Sequence, residues 1–340
     1  MLKINMFSTA DKVKGQGVGS AYLELIKMLN KHFPNEFDIS INKHGSADVT
    51  HYHTINLGYY FSTFFKKRGR KIGYVHFLPE TLDGSLKLPA FFKFFFYKYV
   101  IAFYKRMDHI VVVNPTFIPK LEQYGISKDK ITYIPNFVSK KEFYPVDSIN
   151  KSSLRNYYGY SNRKFTIFGV GQIQTRKGIL DFFKLAKMNP EMQFIWAGGF
   201  SFGKITDGYK ELKQIVDNPP KNLSFPGIVN RDKLVDYYNM SDVFLLPSYN
   251  ELFPMSVLEA FSCGKPVILR NLLLYKKIID GYYVSFNNLE ELNNEIKSLH
   301  LDNKKLNNLH ELALKASEYY SEEHLASIWH DFYINQSKEG

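Results

Sequence analysis

The chain is 340 residues long, room for two domains of ordinary size, each with its own core. Hydrophobic residues make up 45% and charged residues 23%, a globular balance that excludes an intrinsically disordered chain. The net charge of +11 calls for a polyanionic partner (nucleic acid, anionic lipid or a phosphorylated substrate), and the single cysteine, Cys263, excludes an internal disulfide framework and fits a reducing compartment.

The first residues run straight into a strand at 4–7, with no apolar leader ahead of it, so secretion is not expected. A glycine-rich turn, Lys14-Gly-Gln-Gly-Val-Gly-Ser, leads into a helix over 20–31. Further strands are expected at 71–76, 110–113 and 132–134. Then the pattern restarts: strand 165–170, helix 178–187, strand 193–197, helix 232–239, strand 243–246, helix 256–263 and strand 266–269. Apolar runs alternating with helical segments predict α/β units around parallel sheets. The polar and turn residues between 145 and 162 place the boundary there, giving domains 1–155 and 156–320. The tail 321–340 carries Trp329, Phe332 and Tyr333, an apolar face that predicts a docked helix. No uninterrupted apolar run approaches the ~20 residues that span a bilayer.

The sharpest local pattern is Leu246-Pro-Ser-Tyr-Asn-Glu-Leu-Phe-Pro-Met-Ser-Val-Leu-Glu-Ala-Phe-Ser-Cys-Gly-Lys-Pro-Val. A strand ends near Pro247, and Pro254 suits a first helical turn. Glu251 therefore lies at the helix start and Glu259 one to two turns on. At ~1.5 Å per residue the two carboxylates stand roughly 10 Å apart, the reach of a sugar-diphosphate-ribose. The positive helix end between them suits a diphosphate. A helix-start acid and a solvated face explain the same two residues without any ligand.

The stretch resembles the Glu-x7-Glu signature of family 4 retaining glycosyltransferases, including the Pro-Ser before it and the Cys-Gly-x-Pro-Val after it. The resemblance gives Glu251 to the donor hexose, with Phe253, Pro254 and Met255 beside it, and Glu259 to the ribose hydroxyls. Phe168-Gly-Val-Gly-Gln-Ile-Gln-Thr-Arg-Lys-Gly resembles the family's phosphate-gripping motif. Lys177 matches, whereas Gln172 stands where the family has arginine; glutamine donates a hydrogen bond but carries no charge, and Arg176 is the candidate to compensate. Gly15 and Gly17 resemble the glycine loop that closes over the donor phosphates. Ser224-Phe-Pro-Gly-Ile-Val resembles the base-binding loop, with Ile228 and Val229 nearest the base.

Histidines stand at two strand ends, in Asp48-Val-Thr-His-Tyr-His-Thr and Gly73-Tyr-Val-His-Phe. A His-x-His without cysteine or carboxylate partners is a weak metal site, and buried hydrogen-bonded histidines are commoner. By resemblance His76 lies near the hexose, and His51 and His53 on the acceptor side. No metal or cofactor is expected, because the cations and the helix end meet the leaving diphosphate.

Between residues 86 and 107 aromatics interleave with lysines. As a helix, Phe92, Phe96, Tyr99 and Phe103 form one stripe, with Lys98 and Lys105 largely opposite. Upstream, Tyr59-Tyr-Phe-Ser-Thr-Phe-Phe precedes the basic run of Lys66, Lys67 and Arg68. Aromatic anchors beside basic clusters suit an interfacial, non-spanning membrane protein, and a core stripe with a wet basic face is the alternative.

The resemblance covers nearly the whole chain and implies a GT-B fold: two Rossmann-like domains facing a central cleft, with a C-terminal helix crossing back to the first. Gly73-Tyr-Val-His-Phe-Leu-Pro-Glu-Thr-Leu and Ile134-Pro-Asn-Phe-Val bring it closer to the Gram-positive synthases that add a second hexose to monoglucosyldiacylglycerol, whose products serve as membrane lipids and lipoteichoic acid anchors. It implies a UDP-glucose or UDP-galactose donor, a diacylglycerol glycolipid acceptor, an anionic membrane surface as partner and a place on the inner face of the cell membrane. Competing readings are transfer to a polyprenyl-linked or wall polysaccharide acceptor, a nucleic-acid-binding protein, which no module here resembles, and a catalytically dead scaffold at the membrane surface, at which only Gln172 hints.

Overall fold

A computed structural model describes residues 1–10, 17–79, 90–201, 203 and 206–339. The chain divides into two compact α/β units, one of residues 1–137 with 322–340 and the other of residues 138–321.

The first unit holds six parallel strands, β1 (Leu2–Phe7), β2 (Phe37–Ile41), β3 (Val49–Tyr52), β4 (Arg70–Val75), β5 (His109–Val112) and β6 (Ile131–Tyr133), in the order β2-β1-β3-β4-β5-β6. The second holds β7 (Thr166–Val170), β8 (Gln193–Ala197), β9 (Leu223–Gly227), β10 (Val243–Leu246), β11 (Val267–Arg270) and β12 (Val284–Phe286), in the order β12-β11-β10-β7-β8-β9. The second order is that of dinucleotide-binding folds, while the first is the other common doubly wound order, so only one half is Rossmann-like in the strict sense. Strands such as β5 and β10 are buried along their whole length, as parallel strands covered on both faces must be. In both sheets the order reverses beside the first strand, between β1 and β3 and between β7 and β10. Ligands of open α/β sheets bind at the carboxyl ends of strands flanking such a reversal.

The domain boundary differs from the expected one. Residues 138–155 belong to the second unit rather than the first. Val138 N–H bonds the Tyr320 carbonyl at 3.2 Å, and Asn239 donates to the Tyr144 carbonyl at 2.8 Å. Arg155, buried, donates to the Met240 carbonyl at 2.7 Å and pairs with Asp242 at 2.9 Å. The polar run that suggests a linker is a capped helix, α5 (Ser148–Tyr157), with Asp147 accepting from the Asn150 N–H.

The C-terminal helix, α13 (Glu322–Lys338), packs on the first unit. Trp329 and Tyr333 are buried against His51 and Tyr74, and Phe332 meets His109. Polar clamps border that face: Lys31 to Glu322 at 2.6 Å, and Arg70 to Gln336 at 3.1 Å and Glu339 at 2.6 Å.

The aromatic helix is α3 (Ala90–Lys105), and the face it buries corrects the expected stripe. Phe103 is 1% exposed, its ring against Tyr52 and Tyr60, and the half-buried Tyr99 hydroxyl donates to the Ile55 carbonyl. Phe96 is half-buried. Of the expected set Phe92, Lys98 and Lys105 are exposed, and Phe91, Phe94 and Phe95 join them. Arg68 also leaves the expected surface: it is 1% exposed, donates to the carbonyls of Lys43 and Gly45, and lies 5.1 Å from the Phe7 ring centroid. Lys66 and Lys67 stay exposed beside Phe61, Phe64 and Phe65. Among the described residues, no helix is long and apolar enough to cross a membrane.

Candidate active site

The loops after β7 and β10 meet at the reversal of the second sheet. After β7 the chain turns through Gly171, at φ 149°, into a 3-10 turn, Thr175–Lys177. Gly178 closes that turn at φ 74° and caps α6 (Ile179–Met188). A Cβ at Gly178 would stand 2.3 Å from the Pro247 carbonyl oxygen, so only glycine lets the two loops approach. They are then tied together: Tyr249 N–H donates to the Arg176 carbonyl at 2.8 Å, and Arg176 Nη1 donates to the Asn250 carbonyl at 3.3 Å.

This contact sets Lys177 against Glu251, Nζ to Oε1 at 2.5 Å, both largely shielded from solvent. Burial works against ionising Glu251, but Lys177 and Arg176 prevail and hold its carboxyl below the usual glutamate value. Burial also lowers the Lys177 ammonium, with Glu251 opposing it. Glu251 is thus an ionised acceptor, suited to hydroxyl groups. At the position where the family has arginine, the Gln172 amide oxygen accepts from Gln174 at 2.8 Å, and Gln174 in turn accepts from Arg176 Nε at 2.9 Å. Arg176 is held there through two neutral side chains, a link that sequence spacing does not reveal.

Helix α9 (Met255–Ser262) begins after Pro254, which is its cap residue rather than part of its first turn, and no side chain caps it. Phe253 and Met255 are buried beside that start. Glu259 is 4% exposed within α9. Both its oxygens are engaged from α8 (Arg231–Met240): Oε1 by Arg231 Nη1 at 2.8 Å and Oε2 by the Tyr238 hydroxyl at 2.7 Å. The sequence reading missed both partners. The signal was there in their spacing of seven, which puts them on one face of a helix. The expected base loop is in part strand β9. Ile228 follows it, largely exposed and close enough to Gly199 that a Cβ there would stand 2.9 Å from Ile228 Cγ1, while Val229 is half-buried.

In the first unit, His51 and His53 stand at the end of β3, and His76 just beyond β4. All three are buried, with rings 4.1 Å apart for His51–His53 and 6.1 Å for His53–His76. His51 Nδ1 meets the Tyr333 hydroxyl of α13 at 2.6 Å. Burial drives His51 and His76 down to about 3 and puts His53 well below its ordinary value, so all three imidazoles are neutral at pH 7. Neither ring nitrogen of His53 has a hydrogen-bond partner among the described residues, nor has His76 Nε2. Among those residues no group of three or more His, Cys, Asp or Glu has metal-binding geometry. Gly17 opens α1 (Gly17–His32), and Gly15 lies outside the described residues.

Two family profiles match in tandem, Glycosyltransferase Family 4 over residues 17–142 and Glycosyl transferases group 1 over residues 150–316. The chain is 52% identical over all its 340 residues to the alpha-galactosylglucosyldiacylglycerol synthase of Streptococcus pneumoniae, covering 91% of that protein. It is 29% identical over 206 residues to the processive diacylglycerol alpha-glucosyltransferase of Acholeplasma laidlawii, 58% of this chain and 61% of that one. In fold it is similar to Anabaena HepE, solved with UDP and glucose, at a TM-score of 0.79 and 16% identity over 98% of this chain and all of that one. With a half-identical relative along its full length and two profiles in tandem, the chain belongs to glycosyltransferase family 4, enzymes of the GT-B fold.

Proposed function

We propose that this enzyme transfers a hexose, galactose in the first instance, from its UDP-sugar to monoglucosyldiacylglycerol at an anionic membrane surface, with retention at the anomeric carbon. The name of the 52% identical pneumococcal relative supports the acceptor and the sugar. The carrying observation is the shielded Lys177–Glu251 pair at the reversal of the second sheet.

In this reading Lys177 and Arg176 neutralise the charge growing on the departing UDP, and the uncapped start of α9 adds its free N–H groups. Electrostatic stabilisation of this kind is worth about 10²–10³-fold per donor. Glu251, kept ionised by those cations, accepts hydrogen bonds from the hexose hydroxyls. Glu259 holds the ribose diol, and Ile228 and Val229 border the base. Within the first unit, the hexose role of His76 and the acceptor-side role of His51 and His53 follow the family resemblance and suit neutral imidazoles. Protein cations and a helix end meet the diphosphate, so no divalent ion is assigned a step.

The first unit carries the membrane contact in this reading. Phe61, Phe64 and Phe65 with Lys66 and Lys67, and Phe91, Phe92, Phe94 and Phe95 with Lys98, supply exposed apolar rings beside cations. Such rings enter the headgroup boundary while lysines meet anionic lipid. The experiment is incubation of purified protein with labelled UDP-galactose or UDP-glucose and vesicles of monoglucosyldiacylglycerol, with the product linkage read by NMR. A diglycosyl lipid is expected from UDP-galactose. Transfer only to a polyprenyl-linked or polysaccharide acceptor overturns the proposal.

A further inference from the structure

The partners of Glu259 divide into one fixed and one removable. Tyr238 is fully buried, and its hydroxyl sits 2.7 Å from Glu259 Oε2 and 3.0 Å from the Ser256 carbonyl. It belongs to the frame that holds the carboxylate. Arg231 is different: its side chain is 33% exposed, and it reaches Oε1 from the rim at 2.8 Å. The same guanidinium holds a second acid, Glu142 Oε2 at 3.0 Å from Nε, and lies 4.9 Å from the Phe143 ring centroid. Glu142 is itself 34% exposed.

We infer that Arg231 competes with the nucleotide ribose for Glu259 and thereby sets the affinity of the enzyme for its donor and for the UDP it releases. The inference rests on the ribose role given to Glu259 above. With that carboxylate 4% exposed, a ribose diol reaches Oε1 by displacing the rim-lying arginine. Glu142 keeps the displaced cation paired, so the exchange never strands a charge. Ordinary electrostatics predicts the reverse of competition: a cation near a diphosphate strengthens binding, and its removal weakens it. The sign of the effect therefore separates the two.

Calorimetry with UDP and with 2′,3′-dideoxy-UDP on the full-length protein tests this, with thermal denaturation reporting that each variant folds. Arg231→Met keeps the apolar stem against Phe143 and removes the competitor. It binds UDP roughly fivefold tighter, the value of an ion pair worth about 1 kcal/mol, and gains nothing for dideoxy-UDP. Glu142→Gln takes away the alternative acid partner, and UDP binds about twofold or more weaker. Opposite signs from two partners of one network are not what shared structural damage gives. The competition is overturned if Arg231→Met binds UDP equally or more weakly, gains as much for dideoxy-UDP, or if Glu142→Gln fails to weaken UDP. Wild-type protein that binds UDP and dideoxy-UDP alike overturns the ribose role of Glu259, a distinct failure.

Discussion

Lys177 and Glu251 meet at 2.5 Å across two loops that only a glycine at 178 allows to touch. A shielded pair of this kind is double-edged. Removing one partner leaves a charge with no counterpart, whereas removing both leaves a neutral gap. Lys177→Met is therefore expected to lower stability by about 3 kcal/mol, and Lys177→Met with Glu251→Gln to recover most of that. Activity follows another rule. Each single variant loses about 10²-fold or more in kcat, and the double variant stays inactive. Urea denaturation beside turnover with labelled donor separates the two, and a double variant that regains turnover would show the pair to be scaffolding alone.

The same pair sets an acid limb. Because the Glu251 value is depressed on folding, its stabilising contribution is complete above the ordinary glutamate value and is lost as pH falls through the lower folded one. Turnover against pH should thus show no loss from Glu251 until below the usual glutamate range. A limb near 6 that vanishes in Glu251→Gln would contradict this.

Membrane attachment is predicted to follow exposure rather than sequence position. Phe91 and Phe95 are 68% and 55% exposed, with rings 4.8 Å apart on one helix face. Serine at both should weaken binding to anionic vesicles about tenfold with folding intact. Phe103→Ser, on the same helix, should instead destabilise the first unit by about 3 kcal/mol. Vesicle sedimentation paired with thermal melts distinguishes the two, and an unchanged partition for the Phe91/Phe95 variant would remove these rings from the contact.

That contrast shows where the sequence stops being informative. Helix α3 is aromatic nearly all round, so its periodicity does not choose a buried face. The choice comes from tertiary partners, the Phe77 carbonyl for the Tyr104 hydroxyl and Tyr52 for Phe103, which no local pattern records. Arg68 was hidden likewise, since a basic run reads as surface until carbonyls from residues 43 and 45 close on it. Strands such as β10 and β11 were legible because burial on both faces demands unbroken apolar runs. The two glutamates stood out through the family signature, since their spacing alone fits a helix-start acid and a solvated face as well. Their partners did not: Arg231 and Tyr238 are set by how α8 lies against α9, and the boundary at 137 by where Arg155 and Asn239 find carbonyls.

Divalent metal is expected to be dispensable for transfer, since the proposed diphosphate site draws its charge from Lys177 and Arg176. Dialysis against EDTA should leave turnover with UDP-galactose within about twofold, whereas a loss restored by magnesium or manganese would require a metal step. Substituting Arg176 tests the same point from the other side. Arg176→Gln removes the cation that Gln174 holds, and should cost about 10²-fold in kcat.

The histidine cluster predicts how the first unit fails in acid. His51 and His76 titrate at about 3 when folded, and His53 is also depressed, against about 6.5 in an unfolded chain. The unfolded state therefore binds more protons, so stability is complete above about 6.5 and falls as pH drops toward 3. Each of the three contributes a slope of up to about 1.4 kcal/mol per pH unit in that window. His330 works oppositely. The hydrogen bond to Glu36 raises its value, so its stabilisation is present below the unfolded value and lost as pH rises through the folded one. One pair at the surface is worth at most about 1 kcal/mol and does not offset three buried rings. Urea titrations at pH 7.5, 6.5 and 5.5 should show stability falling with pH, and His53→Leu should flatten that slope by one histidine's share. Because His51 meets Tyr333 and packs against Trp329, protection of α13 against hydrogen exchange should fall in the same window. An acid slope untouched by His53→Leu would mean that the imidazoles are not buried as a dry, neutral group.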